Sequence, residues 1–207
     1  HVWWGRAIII ATGTKIKQTV IANSDQFYGH GVSYCAICDV GYYLAQPVMV
    51  VGAGEYMAKM ALFMADDVSQ VVVVSPSDRI NASAVVRTRL AGHSRIHGYY
   101  GYKIEELLGK KKLEHVVLQS LDGQKRTTIP CNALFIYEGL VANTDFIEKN
   151  QLALSENGFI RTNALMETIS SGVYAVGSAR DNPIKRIIYG MSDAMTAIDQ
   201  IEIYLYF

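Results

Sequence analysis

The sequence holds 207 residues, half of them hydrophobic and 18% charged, with 19 basic side chains against 19 acidic ones. That balance excludes a disordered chain and offers no net field to draw nucleic acid or an anionic membrane. No apolar run approaches the roughly 18 residues needed to span a bilayer. Three cysteines make no secreted disulfide framework, so a soluble cytoplasmic protein is expected.

The run from Arg6 to Ala11 reads as a buried strand entering a turn at Thr12-Gly13-Thr14, with Trp3 and Trp4 packing at its edge. Ile16 to Gly31 is polar and aperiodic, a connector. Pro47 to Val51 is a second buried strand, followed at once by Gly52-Ala53-Gly54. Met57, Met60, Ala61 and Met64 then recur at helical spacing within Glu55–Ala65, which predicts a helix with those residues in the core. Val71 to Val74 is a third strand, stopped by Ser75-Pro76-Ser77. Strand, glycine turn, helix, strand is the βαβ unit of a dinucleotide-type fold.

Further on, Lys103 to Leu108 and Glu114 to Leu118 read as a β-hairpin about a basic turn at Lys110-Lys111-Lys112. Ala133 to Tyr137 and Gly172 to Gly177 read as buried strands. Tyr189 to Leu205 has helical character, with Met191, Ala194, Met195, Ile198 and Ile201 on one face.

Chemistry concentrates at Cys35-Ala36-Ile37-Cys38. Thiols three positions apart can close a small disulfide ring, and one of them as thiolate can attack an external disulfide. Asp39 follows as a proton donor or acceptor for thiol or flavin. The bland alternative is a buried structural pair. A zinc site would have to recruit Cys131 and a histidine such as His30 to reach about four ligands, and no second CxxC exists, so no metal is expected. Cys131, in an apolar stretch, reads as an inert thiol and His30 as a surface residue.

Gly52 and Gly54 meet the first two requirements of the dinucleotide fingerprint: a tight turn and close backbone approach to a pyrophosphate. Met57 stands where a third small residue would allow close helix–strand packing. In the next stretch, Val74-Ser75-Pro76-Ser77-Asp78-Arg79, neither the acid that holds an NAD ribose nor the arginines that hold the NADP phosphate sit at the strand tip, though Arg79 lies a few residues beyond.

The stretch Gly29-His30-Gly31-Val32-Ser33-Tyr34-Cys35-Ala36-Ile37-Cys38-Asp39, with the glycine turn a dozen residues on, resembles the central segment of low-molecular-weight thioredoxin reductases. Ile9-Ile10-Ala11-Thr12-Gly13 and Gly172-Val173-Tyr174-Ala175-Val176-Gly177 resemble its flanking segments, so the likeness runs from end to end. The resemblance implies an α/β fold of two Rossmann-like three-layer domains, the nicotinamide-type domain inserted into the flavin-type domain. Residues 15–138 correspond to the inserted domain, and residues 1–14 and 139–207 to parts of the flavin domain. The family's first flavin-binding βαβ unit is absent and His1 replaces an initiator methionine, so a truncated or processed chain is expected.

The resemblance further implies that Cys38 faces the flavin, that Cys35 is the interchange thiol and that Asp39 is the acid beside them. Gly52 and Gly54 would approach the pyrophosphate of NADPH or NADH, and Gly177 and Ser178 would belong to the loop that contacts FAD. A thioredoxin-like disulfide protein is the implied partner and a homodimer the implied assembly. Two departures stand out: Ser75-Pro76-Ser77 replaces the basic cluster for the NADP phosphate, and Ser178 replaces the acid that holds the flavin's ribityl chain. A disulfide reductase is the first expectation. A reductase with another electron donor and a non-catalytic scaffold are the alternatives. Lys185-Arg186 could contact the cofactor or cap a helix.

Overall fold

A computed structural model describes residues 4–17, 21–148 and 150–206. In chain order the strands are β1 (Ile8–Ile10), β2 (Thr14–Ile16), β3 (Val32–Ser33), β4 (Pro47–Gly52), β5 (Gln70–Ser75), β6 (Ile96–Tyr100), β7 (Tyr102–Gly109), β8 (Leu113–Ser120), β9 (Arg126–Pro130), β10 (Ala133–Tyr137), β11 (Leu140–Ala142) and β12 (Val173–Ala175). The helices are α1 (Ala36–Asp39), α2 (Glu55–Ala65), α3 (Ala84–Gly92) and α4 (Ile187–Tyr206). Two compact units result, one of residues 18–139 and one of residues 1–17 with 140–207.

In the first unit β3, β10, β4, β5 and β6 form a parallel sheet in that order. Its strands are near-continuous runs of valine and other apolar residues because both faces are covered. Val48, Val50, Val71 and Val73 point to a layer containing α2 and α3, where Met57, Ala61, Met64 and Leu90 are buried. Met49, Val51, Val72 and Val74 point the other way, onto Leu107, Leu113, Val116 and Leu118 of the antiparallel meander β7-β8-β9. Meander, sheet and helices make three layers. The β4–α2–β5 order is the one expected from the sequence, and the expected hairpin gains β9 as a third strand. Arg95 closes α2 by donating from one guanidinium nitrogen to the carbonyls of Ala65, Asp66 and Val68.

The other unit holds β1 paired in parallel with β12, β2 paired antiparallel with β11, and α4. Small clusters around Ile10, Ile160 and Ala175, and around Met166, Tyr174 and Ala197, form its core. Three expectations are corrected here. The first strand is not a buried one: β1 pairs with no described strand but β12, and Ile8 is 56% exposed and Ile9 40%. Trp4 packs on nothing, being 95% exposed, and Trp3 lies outside the described residues. On α4 the buried positions are Asp193 and Ala197; of the predicted face only Ala194 and Ile201 are half-buried. Met191, Met195 and Ile198 are exposed because Asp193 turns inward to polar partners. The connector after Ile16 contains the turn Ser24–Phe27, whose Phe27 is buried in the core between sheet and meander.

Candidate active site

Cys35 takes an extended conformation at the N-terminal edge of α1, and Cys38 lies one helical turn on. That places their Cα atoms 5.3 Å apart and closes a Cys35–Cys38 disulfide. The amide of Cys38 donates to Cys35 Sγ at 3.3 Å and that of Asp39 to the Cys35 carbonyl at 3.1 Å. A sulfur that accepts an N–H bond is better suited to carry negative charge once the disulfide opens. Cys38 is exposed and Cys35 half-buried, so the bridge is accessible.

Two hydroxyls from neighbouring strands anchor the motif. Ser33 Oγ, at the end of β3, accepts from the Cys35 amide at 3.0 Å. Tyr137 Oη, at the end of β10, accepts from the Ala36 amide at 2.7 Å. The parallel pairing of β3 with β10 brings these two residues to one edge. Ser33 Oγ also donates to Asp39 Oδ2 at 2.6 Å, and Ser33 is 6% exposed. Burial raises the phenols of Tyr137 and Tyr43 above their ordinary range, and the nearby Asp39 charge adds to the effect. A cavity of about 330 Å³ opens beside Asp39, lined by Gly29, Val32, Ser33, Tyr42 and Tyr43. Sequence reasoning missed Ser33 and Tyr137. Ser33 had a faint signal in a hydroxyl two positions before the first cysteine, whereas Tyr137 is placed only by strand order.

Gly52 ends β4 under the carbonyl of Tyr137, where a Cβ would overlap that oxygen and crowd Met57 Cγ. A Cβ on Gly54 would meet nothing within 4 Å, so open space lies at the start of α2. The turn therefore fits the pyrophosphate of a dinucleotide. At the tip of β5 stand Ser75, Pro76 and Ser77, with Arg79 exposed further along the loop. Ser75 is fully buried and its hydroxyl accepts from the Ser77 amide. The following loop is tied to the turn by Asn81 N–H to Ala53 O at 2.7 Å and Ser83 N–H to Glu55 Oε2 at 2.9 Å. Glu55, paired with Lys59, thus puts a carboxylate on the first turn of α2.

Gly177 and Ser178 lie in the other unit, in a single 3-10 turn after β12. Gly177 has φ 67° and approaches Gly190 of α4, and its amide donates to Asp193 Oδ2 at 2.9 Å. Arg180 donates to Asp193 Oδ1 at 2.7 Å and to Thr162 at 2.8 Å. Lys185 donates to the Arg180 carbonyl and lies 3.9 Å from the Phe159 ring centre, and the Arg186 carbonyl accepts from Tyr189 and Gly190. Cys131 is 1% exposed, and burial pushes its thiol up to about 12. Among the described residues no group of three His, Cys, Asp or Glu side chains is placed to hold a metal ion, and no helix is long and apolar enough to cross a membrane.

Residues 5–200 match the family model for pyridine nucleotide-disulphide oxidoreductase. The chain is 32% identical to a thioredoxin reductase of Mycoplasma pneumoniae over 94% of its own length and 62% of that protein's. It is 34% identical to one of Mycoplasmopsis pulmonis over 93% and 62%. Among solved structures, the thioredoxin reductase of Lactococcus lactis superposes with a TM-score of 0.84 at 26% identity, covering 96% of this chain and 66% of that one. The chain thus spans less than two thirds of the length of these curated relatives.

Proposed function

The chain belongs to the pyridine nucleotide-disulphide oxidoreductase family, and we propose that it is the redox-active portion of a thioredoxin-reductase-like, flavin-dependent disulfide reductase. The observation that carries this reading is the accessible Cys35–Cys38 disulfide, with Asp39 held beside it by Ser33. Cys35 is the interchange thiol, Cys38 the flavin-side thiol and Asp39 the acid. Gly177 and Ser178 contact FAD, and Gly52 and Gly54 face a nicotinamide nucleotide. The partner is a thioredoxin-like disulfide protein, the assembly a homodimer and the compartment the cytoplasm.

Flavin, if bound and already reduced by a hydride or electron donor, would supply the electron pair that, with two protons, takes Cys35–Cys38 to the dithiol. Cys35 passes its proton to Asp39 and, as thiolate, attacks one sulfur of the partner's disulfide. That S–S bond breaks, a mixed disulfide forms, and the departing thiolate takes the proton of Asp39. Cys38, its proton lost to solvent, attacks Cys35 Sγ. The second partner thiolate leaves and the Cys35–Cys38 disulfide is restored, so two electrons have passed to the partner.

A second reading concerns the electron donor: NADH or a protein donor in place of NADPH. It is supported by the buried Ser75 at the tip of β5, where an NADP-specific site would need basic groups. An anaerobic visible spectrum of the full-length protein tests both. A yellow protein bleached by NADPH favours an ordinary donor, bleaching by NADH alone favours the second reading, and a colourless protein refutes the flavin assignment. Cys35→Ser and Cys38→Ser should each abolish disulfide reduction.

A further inference from the structure

The hydroxyl of Ser33 accepts from the amide of Cys35 at 3.0 Å and donates to Asp39 Oδ2 at 2.6 Å, with a longer contact to the Cys35 carbonyl at 3.4 Å. The backbone of the attacking cysteine and the carboxylate are therefore joined through one oxygen, at a position shielded from water. A chain of hydrogen bonds in a shielded site polarises along its length, and here its terminal acceptor is Asp39. The strand holding Ser33 is locked in register, with Ser33 opposite Phe135, which is fully buried. Neither bond is needed to form the parallel sheet, because both use the side chain.

We propose that Ser33 is a positioning residue for the reaction at Cys35: its hydroxyl fixes the Asp39 carboxylate in the place from which it exchanges a proton with sulfur. This rests on the reading of Asp39 as the acid. Ser33 itself touches no substrate sulfur and acts through Asp39. The charged or titratable groups around that carboxylate are Cys35 at the N-terminal edge of α1, Cys38 within it, Tyr43 of the following turn and Tyr137 of β10.

The test uses the full-length protein reduced with dithiothreitol, freed of reductant and mixed with an excess of hydroxyethyl disulfide, an alkyl disulfide whose departing thiolate is basic enough to need a proton, between pH 5 and 9. Thiol released in timed, acid-quenched samples reports interchange directly and needs neither electron donor nor flavin turnover. Ser33→Thr and Ser33→Val have nearly the same shape and strand preference, and only the first keeps a hydroxyl. Ser33→Thr should retain the wild-type rate and pH profile. Ser33→Val should slow release roughly tenfold and distort the profile as Asp39→Asn does, since a positioned acid contributes a factor of this order or more. In an Asp39→Asn background, Ser33→Val should add no further loss, because a residue acting through a partner has nothing to act on once the partner is gone.

Equal slowing by Ser33→Val with or without Asp39 would overturn the proposal and leave the acid in place. Equal rates for Ser33→Thr and Ser33→Val would overturn it too. An Asp39→Asn protein with wild-type rate and profile would remove the acid reading and the Ser33 proposal together. Should Ser33→Val fail to fold, Ser33→Ala replaces it in the same comparison.

Discussion

The phenol oxygen of Tyr137 accepts the amide hydrogen of Ala36 at 2.7 Å, joining residues 101 positions apart. The same Tyr137 sets its backbone carbonyl over Gly52 and its ring 5.4 Å from that of Tyr56, edge to face. One residue thus ties the glycine turn to the segment that carries the disulfide.

Replacing Tyr137 with Phe keeps the ring contacts and orphans an amide on a fully buried residue. The expected cost is about 1–3 kcal/mol. Urea denaturation of the oxidised protein measures it, with Tyr56→Phe as a control that leaves the bond intact. Coincident midpoints for the two variants would show that the bond contributes nothing.

The two glycines of the turn should respond unequally. Gly52→Ala drives a methyl group into the Tyr137 carbonyl and should destabilise by about 1–3 kcal/mol or more. Gly54→Ala enters open space and should lose only the N-cap preference of glycine over alanine, roughly 0.5–1 kcal/mol. A thermal melt of each variant decides, and equal losses would contradict the geometry.

Cys131 provides a pH signature. Its thiol is pushed up to about 12 by burial, against an ordinary value of 9.0, although its sulfur lies 2.9 Å from the Ala133 carbonyl that receives its hydrogen bond. The unfolded chain releases this proton from about pH 9 while the folded chain keeps it. The contribution is therefore complete below 9.0 and is lost as pH rises towards 12, at most about 1.4 kcal/mol per pH unit. Cys131→Ala should flatten that alkaline slope. At pH 8 the native oxidised protein should take up no thiol label, and one equivalent should appear on unfolding.

Arg180 and Asp193 form an ion pair whose side chains are only 13% and 10% exposed. Removing one partner strands a charge, so Asp193→Ala should cost about 3–5 kcal/mol. It also frees the Gly177 amide that Asp193 accepts from. Chemical denaturation checks the magnitude, and a loss below about 1 kcal/mol would mean that solvent already compensates the charge.

Much of the architecture was legible because periodicity and punctuation agree. β4, α2 and β5 follow from two valine-rich runs around a glycine turn and a helix with methionines at helical spacing. α3 was missed because Ala84–Gly92 mixes valines and arginines without a clear apolar face. β6 and β9 were missed because Ile96–Tyr100 and Arg126–Pro130 carry few buried apolar residues and take their structure from neighbours. The apolar face of α4 was misassigned because hydrophobic spacing cannot register that Asp193 is neutralised by Arg180 and turned inward. At the site, the cysteine pair and Asp39 were readable from adjacency. Tyr137 was not, since only the insertion of β10 between β3 and β4 brings it there.

The lone pairing of β1 has a practical side. One flank of that strand keeps its amides and carbonyls unclaimed by any described strand, while Ile8, Ile9 and the Met191–Met195–Ile198 ridge stand in solvent on a chain of zero formal net charge. Such an edge is a template for another strand, and neutrality removes the repulsion that would keep copies apart. Residues 1–207 expressed by themselves should behave as a sticky preparation, turbid at modest concentration and clearer away from neutral pH. Light scattering followed against dilution would register it before any assay of activity.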